Sequence, residues 1–238
     1  MTDTPADLRP APVWRRALRL AGHRSPRYLF HRVRAILRAR LHPDEPSLTP
    51  AAVARLATAI GPGHRGAEWG SGNSTRWLAA RAGHLTSFET DPGYYRTVAA
   101  ALRAAGLDNV DYRQILFEDS PDEEAMHRSA WVQAAHAFAD GSLDFALVDS
   151  SPRGCLCAAL VPKLRPGGLL VLDNANWYLP PPAGVRPPAP GSVAVGLGRP
   201  GSRVPENRCW PRFVDATADW PREWTSDGVQ MTAIFVKP

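Results

Sequence analysis

Short apolar segments alternate with longer segments of helical periodicity from Arg65 onward. The apolar segments predict five strands, at residues 65–69, 85–89, 109–115, 143–149 and 169–173. The segments between them predict four helices, at residues 74–82, 93–105, 121–138 and 155–164. Each of these helices is long enough for the crossover that connects two parallel strands. The alternation therefore predicts an α/β fold with a doubly wound, mainly parallel sheet.

Helical periodicity is also present before the first strand. Residues 13–41 place apolar side chains among arginines at helical intervals, which predicts two short helices separated near Ser25-Pro26. A further helix is predicted to begin at Thr49-Pro50, because threonine can cap a helix and proline fits its first turn. We therefore expect an N-terminal helical appendage on the sheet domain.

The segment that follows the fifth strand has little apolar periodicity. Residues 179–211 contain nine prolines and five glycines, which predicts an irregular loop. After the loop, residues 212–220 and 230–237 predict two β segments of an antiparallel hairpin at the sheet edge. The chain then divides into a basic helical cap, residues 1–47, and one α/β domain, residues 48–238.

Composition and charge narrow the class of protein. No apolar run approaches the roughly 20 residues that a membrane helix needs, and the first residues, MTDTPADL, do not resemble a secretory signal. We therefore expect a cytoplasmic protein without a membrane partner. The three cysteines lack the spacing of a zinc or thioredoxin-like site and are expected to be reduced thiols, and the seven histidines form no pattern of metal ligands.

The net charge of +5 is concentrated at the N-terminus, where residues 1–40 contain ten arginines against two aspartates. A basic arm can bind nucleic acid or an acidic substrate. An arginine-rich surface helix whose aliphatic stems cover apolar neighbours is the more common explanation, and we favour it.

The first predicted strand ends in Glu68-Trp-Gly70-Ser-Gly72, and a helix follows immediately. Glycines at the carboxyl edge of a parallel strand let the backbone approach a ligand closely, and the N–H groups at the helix start favour a carboxylate or phosphate. A dinucleotide-binding fingerprint requires a third glycine where this chain has Thr75. The motif predicts a cofactor site, with a tight strand-to-helix turn as the structural alternative.

A carboxylate follows at the end of the second predicted strand, about twenty residues after the glycines. Glu89 is placed to accept two hydrogen bonds from a ribose diol. Asp91 competes for this role, but its position before Pro92 suits it better to cap the next helix.

The stretch from Leu48 to Tyr178 resembles a family of bacterial small-molecule methyltransferases of the class I, Rossmann-like type. The resemblance rests on GAEWGSGNSTRWLA, LTSFETDPGYY, LDFALVDSSPRGC and LRPGGLLVLDN. It implies a seven-stranded sheet with an antiparallel C-terminal strand, and an E-x-G-x-G loop that holds S-adenosylmethionine. The candidate cofactor-binding residues are Glu68, Gly70, Ser71, Gly72, Asn73, Ser74, Glu89, Asp119 and Asp149.

The chain is more distantly similar to catechol O-methyltransferase, in which an aspartate after strand four and an Asp-Asn pair after strand five bind magnesium. These positions correspond to Asp149, Asp173 and Asn174, so the resemblance implies a magnesium site. Aspartates at strand ends also bind loop amides, water or a cofactor. That enzyme carries a catalytic lysine where this chain has Arg153, a side chain that stays protonated. Asp149 and Arg153 are therefore the catalytic candidates, and the base stays open.

Together these features predict an enzyme that transfers a methyl group from S-adenosylmethionine to a small molecule, with oxygen favoured as the acceptor atom. Trp177 and Tyr178 are expected to line the substrate pocket, with packing under the proline-rich loop as an equal alternative. The composition, rich in Ala, Arg and Pro, is typical of specialised metabolism in GC-rich genomes.

Two alternative functions stay open at this point. One is an RNA methyltransferase that uses the basic arm, although the sequence Asp149-Ser-Ser-Pro152 lacks the residues typical of base methylation. The other is a non-catalytic binding protein of the same fold, which the intact cofactor motif opposes. The sequence predicts no oligomeric state.

Overall fold

The computed structural model describes residues 25–117, 123–182, 184–185 and 209–238. Seven strands lie within these ranges: β1 (Arg65–Trp69), β2 (His84–Glu89), β3 (Val110–Gln114), β4 (Leu143–Val148), β5 (Leu164–Leu172), β6 (Arg222–Ser226) and β7 (Met231–Val236). The helices are α1 (Pro26–Leu41), α2 (Pro50–Ala59), α3 (Asn73–Ala79), α4 (Pro92–Ala104), α5 (Glu123–Arg128), α6 (Ala130–His136), α7 (Arg153–Leu160) and α8 (Cys209–Ala216). A 3₁₀ turn spans Ala175–Trp177.

The strands form one sheet in the order β3-β2-β1-β4-β5-β7-β6. Strands β1 to β5 are parallel, and β7 runs antiparallel to both β5 and β6. The predicted α/β class, the doubly wound seven-stranded sheet and its antiparallel C-terminal strand are confirmed. The strand order reverses between β1 and β4, which is where folds of this type bind their ligands.

Alternate residues of each strand pack on opposite faces of the sheet, because successive side chains of a strand point in opposite directions. In β4, Phe145 and Leu147 belong to the core under α2 and α3, whereas Ala146 and Val148 belong to the core under α6, α7 and α8. Both faces are therefore buried, as a parallel sheet with crossover helices requires.

Several predicted elements differ from the structure. Strand β5 begins at Leu164, five residues before its predicted start. The helix predicted at 121–138 is divided into α5 and α6, because the Ser129 side chain accepts a hydrogen bond from the backbone N–H of Val132 and begins a new helix. The first two residues of the predicted helix, 121 and 122, lie outside the described residues.

The prediction of a β segment at 212–220 is wrong. Residues 209–216 form helix α8, and the strand begins only at Arg222. Trp210, Phe213 and Thr217 are buried here, and they recur at helical intervals. Their contact with the core under α7 therefore decides in favour of a helix.

The basic appendage is helical where the structure describes it. Helix α1 begins at Pro26, as predicted, and buries Tyr28 and Ile36, while residues 1–24 lie outside the described ranges. The segment after α1 contacts the start of α3, because the Asn73 side-chain amide donates a 2.7 Å hydrogen bond to the Pro43 carbonyl. The domain boundary at residue 47 stays a prediction.

Among the described helices, none has the length and apolar character to cross a bilayer.

The expectation of three reduced thiols is wrong, because Cys155 of α7 and Cys209 of α8 form a disulfide. The two cysteines are 54 residues apart in sequence, and only the packing of α8 against α7 brings them together. The His127 Nε2 atom lies 3.1 Å from the Cys209 sulfur, a proximity that the sequence spacing does not show. Disulfides persist mainly in oxidising compartments, so the pairing does not fit the predicted cytoplasmic location.

The disulfide predicts how the cysteines will react. Alkylation of the denatured but unreduced protein should modify only Cys157, which is free and buried in the fold. Reduction should lower the free energy of unfolding by about 4 kcal/mol, because the link closes a 54-residue loop. Intact mass and urea titration measure the two effects, with Cys157→Ala as the matched control. Alkylation of every cysteine before reduction would contradict the pairing.

Candidate active site

The glycine turn, residues 70–72, connects β1 to α3 at the point where the strand order reverses. Gly70 has a φ of 94°, and a Cβ atom there would lie 3.0 Å from the Asp149 carbonyl oxygen at the end of β4. Only glycine combines this backbone conformation with so close an approach of two chain segments. The turn therefore packs its backbone directly against the end of β4, and the Gly70 N–H donates a 3.1 Å hydrogen bond to the Phe88 carbonyl.

The buried carboxylate of Glu68 holds the glycine turn in place. One of its oxygens, Oε2, accepts hydrogen bonds from the hydroxyls of Thr75, at 2.6 Å, and Ser87, at 2.7 Å. The Thr75 hydroxyl oxygen in turn accepts a 2.9 Å hydrogen bond from the Gly72 backbone N–H. The path from Glu68 through Thr75 to Gly72 thus fixes the turn from within the core.

The second oxygen of Glu68, Oε1, is buried and has no hydrogen-bond partner among the described residues. Burial raises the pKa of this carboxyl to about 7, against the opposing effect of the nearby hydroxyls of Ser74, Thr75 and Ser87. An unpartnered buried acceptor is costly unless a ligand satisfies it. The position beside the glycine turn fits a positively charged donor, such as the ammonium group of an amino acid.

Glu89, the predicted ribose ligand, has its carboxylate fully occupied. Oε1 accepts hydrogen bonds from the backbone N–H groups of Thr90 and Asp91, at 2.8 and 2.9 Å. Oε2 accepts from the Ser71 backbone N–H at 3.2 Å and from the Ser71 hydroxyl at 2.6 Å. A ribose hydroxyl would therefore have to replace the Ser71 hydroxyl. Asp91 caps α4 through the Tyr94 N–H, as the sequence predicts.

A second polar cluster lies at the ends of β4 and β5. The Arg153 guanidinium donates from Nη2 to Asp149 Oδ1 at 2.6 Å and to Asn174 Oδ1 at 3.4 Å, and from Nη1 to the Tyr178 hydroxyl at 3.2 Å. Its Nε–H group is buried and has no partner among the described residues. The structure therefore brings together both catalytic candidates, Asn174 and one of the two pocket candidates.

Asp173 belongs to the same cluster but points into the protein. It is almost fully buried and accepts a 3.1 Å hydrogen bond from the Thr232 hydroxyl. Burial raises the pKa of both Asp149 and Asp173, and the charge of Asp149 raises the pKa of Asp173 further, although Arg153 opposes both shifts. Of the two carboxyls, Asp173 therefore has the more strongly raised pKa.

The other predicted site residues are distributed around these two clusters. Tyr178 is buried and stacks on Trp210 of α8, with ring centroids 5.1 Å apart, whereas Trp177 stays partly exposed. Asn73 holds the segment after α1, as described above, and Asp119 lies outside the described residues.

Sequence reasoning missed the partners that orient the predicted carboxylates. In the sequence, Thr75 was considered only as the residue that replaces a third glycine. It lies three residues after Gly72, and its hydroxyl oxygen accepts a hydrogen bond from the Gly72 N–H, as in a capping box. Ser87 lies two residues before Glu89 in β2, and it reaches Glu68 on the neighbouring strand. The spacing could have indicated Thr75, but only the strand pairing reveals Ser87.

A family model described as a methyltransferase domain matches residues 67–175, which contain the glycine turn, Glu68, Glu89, Asp149 and Arg153. This match covers 109 of the 238 residues, so the central part of the chain resembles a methyltransferase domain. None of the curated proteins is similar enough in sequence to count as a relative.

Several solved structures resemble this chain at low identity. A putative caffeoyl-CoA O-methyltransferase from Staphylococcus aureus is 13% identical, with a TM-score of 0.48 and coverage of 94% of this chain and 98% of that one. A putative methyltransferase from Streptococcus mutans in complex with SAH is 11% identical, with a TM-score of 0.46 and coverage of 79% and 98%. The match to the YcgJ protein of Bacillus subtilis, 15% identical with a TM-score of 0.38, covers 50% of this chain and 48% of that one. Similarities this weak carry no conclusion about the acceptor.

Glu68 predicts a pH dependence of stability. The pKa of about 7 in the folded protein exceeds the ordinary value of 4.5, so folding favours the protonated carboxyl. The stabilisation is complete below pH 4.5 and is lost as the pH rises through about 7, a loss of about 3 kcal/mol. Urea unfolding across this range should therefore show that Glu68→Gln gains stability relative to the parent as the pH rises. Glu223→Gln, at an exposed position on β6, is the control, and a constant difference for Glu68→Gln would refute the assignment.

The glycine turn and Glu89 predict cofactor affinity. Gly70→Val should abolish S-adenosylmethionine binding, because the side chain meets the backbone of Asp149. Glu89→Ala should weaken binding roughly 10- to 100-fold through the loss of a charge-assisted hydrogen bond. Ser71→Ala should bind at least as tightly as the parent, because it removes the hydroxyl that competes for Glu89. Calorimetry measures all three affinities, and normal binding by folded Gly70→Val and Glu89→Ala proteins would refute this site.

Proposed function

We propose that this chain is an S-adenosylmethionine-dependent methyltransferase that acts on a small molecule and methylates an oxygen atom. The observation that carries the proposal is the contact between the two polar clusters. The backbone of Asp149 lies against Gly70, and the Asp149 side chain pairs with Arg153. A carboxylate and a protonated guanidinium thus lie directly beside the proposed methyl-donor site, where they can bind a hydroxyl group.

The residues of the glycine turn fit S-adenosylmethionine. We assign its amino-acid part to the side of the glycine turn at Gly70 and Gly72 and to Oε1 of Glu68, which has no partner among the described residues, and its ribose to Glu89. When bound, the cofactor supplies a methyl group on a positively charged sulfur, and the reaction replaces that carbon–sulfur bond with a carbon–oxygen bond and releases one proton.

The protein's own contribution is to orient the acceptor and to accept its proton. Asp149 is the proposed proton acceptor, because one of its oxygens is held by Arg153 while its side chain stays partly exposed. Orientation in the active site can account for roughly 7–11 kcal/mol of barrier lowering, whereas a general base contributes about 10²- to 10⁴-fold in rate. Correct placement of the hydroxyl is therefore the larger effect.

RNA is the second candidate acceptor, and α1 is the observation that favours it. This helix contains five arginines and no acidic residue. Its outward face is nevertheless largely apolar, with Phe30, Val33, Leu37 and Leu41 exposed between the arginines. A purely phosphate-binding surface would not need these side chains, so we place the small molecule first.

The test begins with the ligand that accompanies the purified protein. Mass spectrometry should identify S-adenosylmethionine or S-adenosylhomocysteine, and calorimetry should show that the full chain binds either one. Labelled S-adenosylmethionine is then offered with a panel of phenols, aliphatic alcohols, amines and total RNA. Transfer of label to a hydroxyl compound supports the proposal, and transfer only to RNA or only to amines overturns it.

The basic appendage gives a separate prediction. Deletion of residues 1–40 should leave the sheet folded and cofactor affinity nearly unchanged, because the glycine turn and Glu89 lie in the remaining domain. Turnover of a small acceptor should fall more than cofactor binding, since we expect the appendage to shape the substrate entrance. Circular dichroism, calorimetry and labelled transfer measure the three effects. Tight, salt-sensitive RNA binding that the deletion removes would instead favour the second candidate.

A further inference from the structure

The oxygens expected to bind magnesium converge on an arginine instead. Asp149 Oδ1 and Asn174 Oδ1 both accept hydrogen bonds from Arg153 Nη2, at 2.6 and 3.4 Å. A magnesium ion needs its oxygen ligands at about 2.0–2.1 Å in an octahedral arrangement, so it would have to lie where this nitrogen lies. The guanidinium already places a positive charge there, and the cluster in this arrangement does not fit the metal.

The remaining members of the expected ligand set are held in other contacts. The Asn174 amide nitrogen donates to Gln230 at 3.1 Å, which fixes the direction of its oxygen toward Arg153. Asp173 is buried and bonded to Thr232 on β7. Rotation of either side chain toward a metal would break these bonds, so the set offers no group of free oxygens.

Arg153 is itself held in position by the elements around it. Its Nη1 donates to the Tyr178 hydroxyl, and the Tyr178 ring stacks on Trp210. Trp210 also lies against Gly154, where a Cβ atom would come within 2.9 Å of its ring, and the neighbouring Cys209 is linked to Cys155. The guanidinium is therefore part of a packed unit of α7, α8 and the turn after β5, and it has little freedom to leave.

One donor of this fixed guanidinium has no partner. The Arg153 Nε–H group is buried and unpaired among the described residues. A buried donor of this kind is satisfied when a bound molecule presents an acceptor oxygen. A magnesium ion can chelate two adjacent oxygens, whereas a single N–H donor binds only one.

We propose that the Arg153 guanidinium takes the place of a divalent cation, and that the acceptor presents to it one acidic hydroxyl, such as a phenol or an enol, instead of a chelating diol. The choice of an acidic hydroxyl as the acceptor rests on the proposed function. The conclusion that the site needs no metal does not depend on that function. Arg153 binds the deprotonated oxygen through charge and the free Nε–H, and Asp149, which it holds, receives the proton. The reaction then requires no magnesium.

Manganese binding tests the exchange of cation without any activity measurement. Electron paramagnetic resonance should show no Mn²⁺ site in the full-length parent protein, whereas Arg153→Ala should acquire one because it frees the oxygens of Asp149 and Asn174. The double variant Arg153→Ala, Asp149→Asn should lose it again. Parent protein that binds Mn²⁺ as tightly as Arg153→Ala overturns the proposal, and so does failure of both proteins to bind. Cofactor calorimetry on each variant verifies that the fold and the methyl-donor site are intact.

Transfer assays test the acceptor class. Labelled transfer to monophenols should proceed unchanged in a chelator, and catechols should have no advantage over them. Arg153→Lys should lower kcat roughly 10- to 100-fold with little change in cofactor affinity, because lysine keeps the charge but lacks the Nε–H donor. Loss of activity in chelator with recovery on addition of magnesium overturns the proposal. Failure of the parent to bind S-adenosylmethionine would refute the proposed function instead, and the manganese result would stand independently.

Discussion

The glycine turn depends on one buried carboxylate. Glu68 lies in β1, an interior strand of the sheet, where burial opposes a negative charge, yet it accepts two hydroxyl hydrogen bonds that hold the start of α3 and the neighbouring strand β2. A neutral apolar side chain at this position would remove the desolvation cost but would also release Thr75 and, through it, the N–H of Gly72. The buried carboxylate thus costs desolvation free energy, and its hydrogen bonds fix the conformation of the glycine turn.

The two polar clusters are coupled through the backbone. Gly70 can contact the Asp149 carbonyl only because β1 and β4 are adjacent, and this adjacency follows from the reversal of strand order. The same contact places the carboxylate and the guanidinium on the β4 side of the turn, and Glu89 on the β2 side. A molecule bound across both clusters would therefore contact a carboxylate at each end, Glu89 on the β2 side and Asp149 on the β4 side. The Arg153 guanidinium would provide a fixed positive charge near the reacting atoms.

The sequence predicted the features that depend on local pattern. The periodicity of apolar residues located β1 through β4 within one or two residues, and the E-x-G-x-G motif located Glu68 and its turn. It failed where distant contacts decide the outcome. Helix α8 was predicted as a strand, because the helical spacing of Trp210 and Phe213 becomes informative only when α7 is known to pack beside it. The contacts of Arg153 with Asn174 and Tyr178 likewise form only in the folded chain. The disulfide was not predicted for the same reason, because its two cysteines are 54 residues apart in sequence.

The position of β7 affects how the protein can be synthesised. This strand is the last in the described chain, yet it lies inside the sheet, with β5 on one side and β6 on the other. Until residues 231–236 have left the ribosome, the edge of β5 has no strand to pair with, and Thr232 is missing from its contact with Asp173. An open, apolar strand edge is a site for aggregation. A nascent chain stalled before Met231 would therefore need chaperone protection, although most of its core is already encoded.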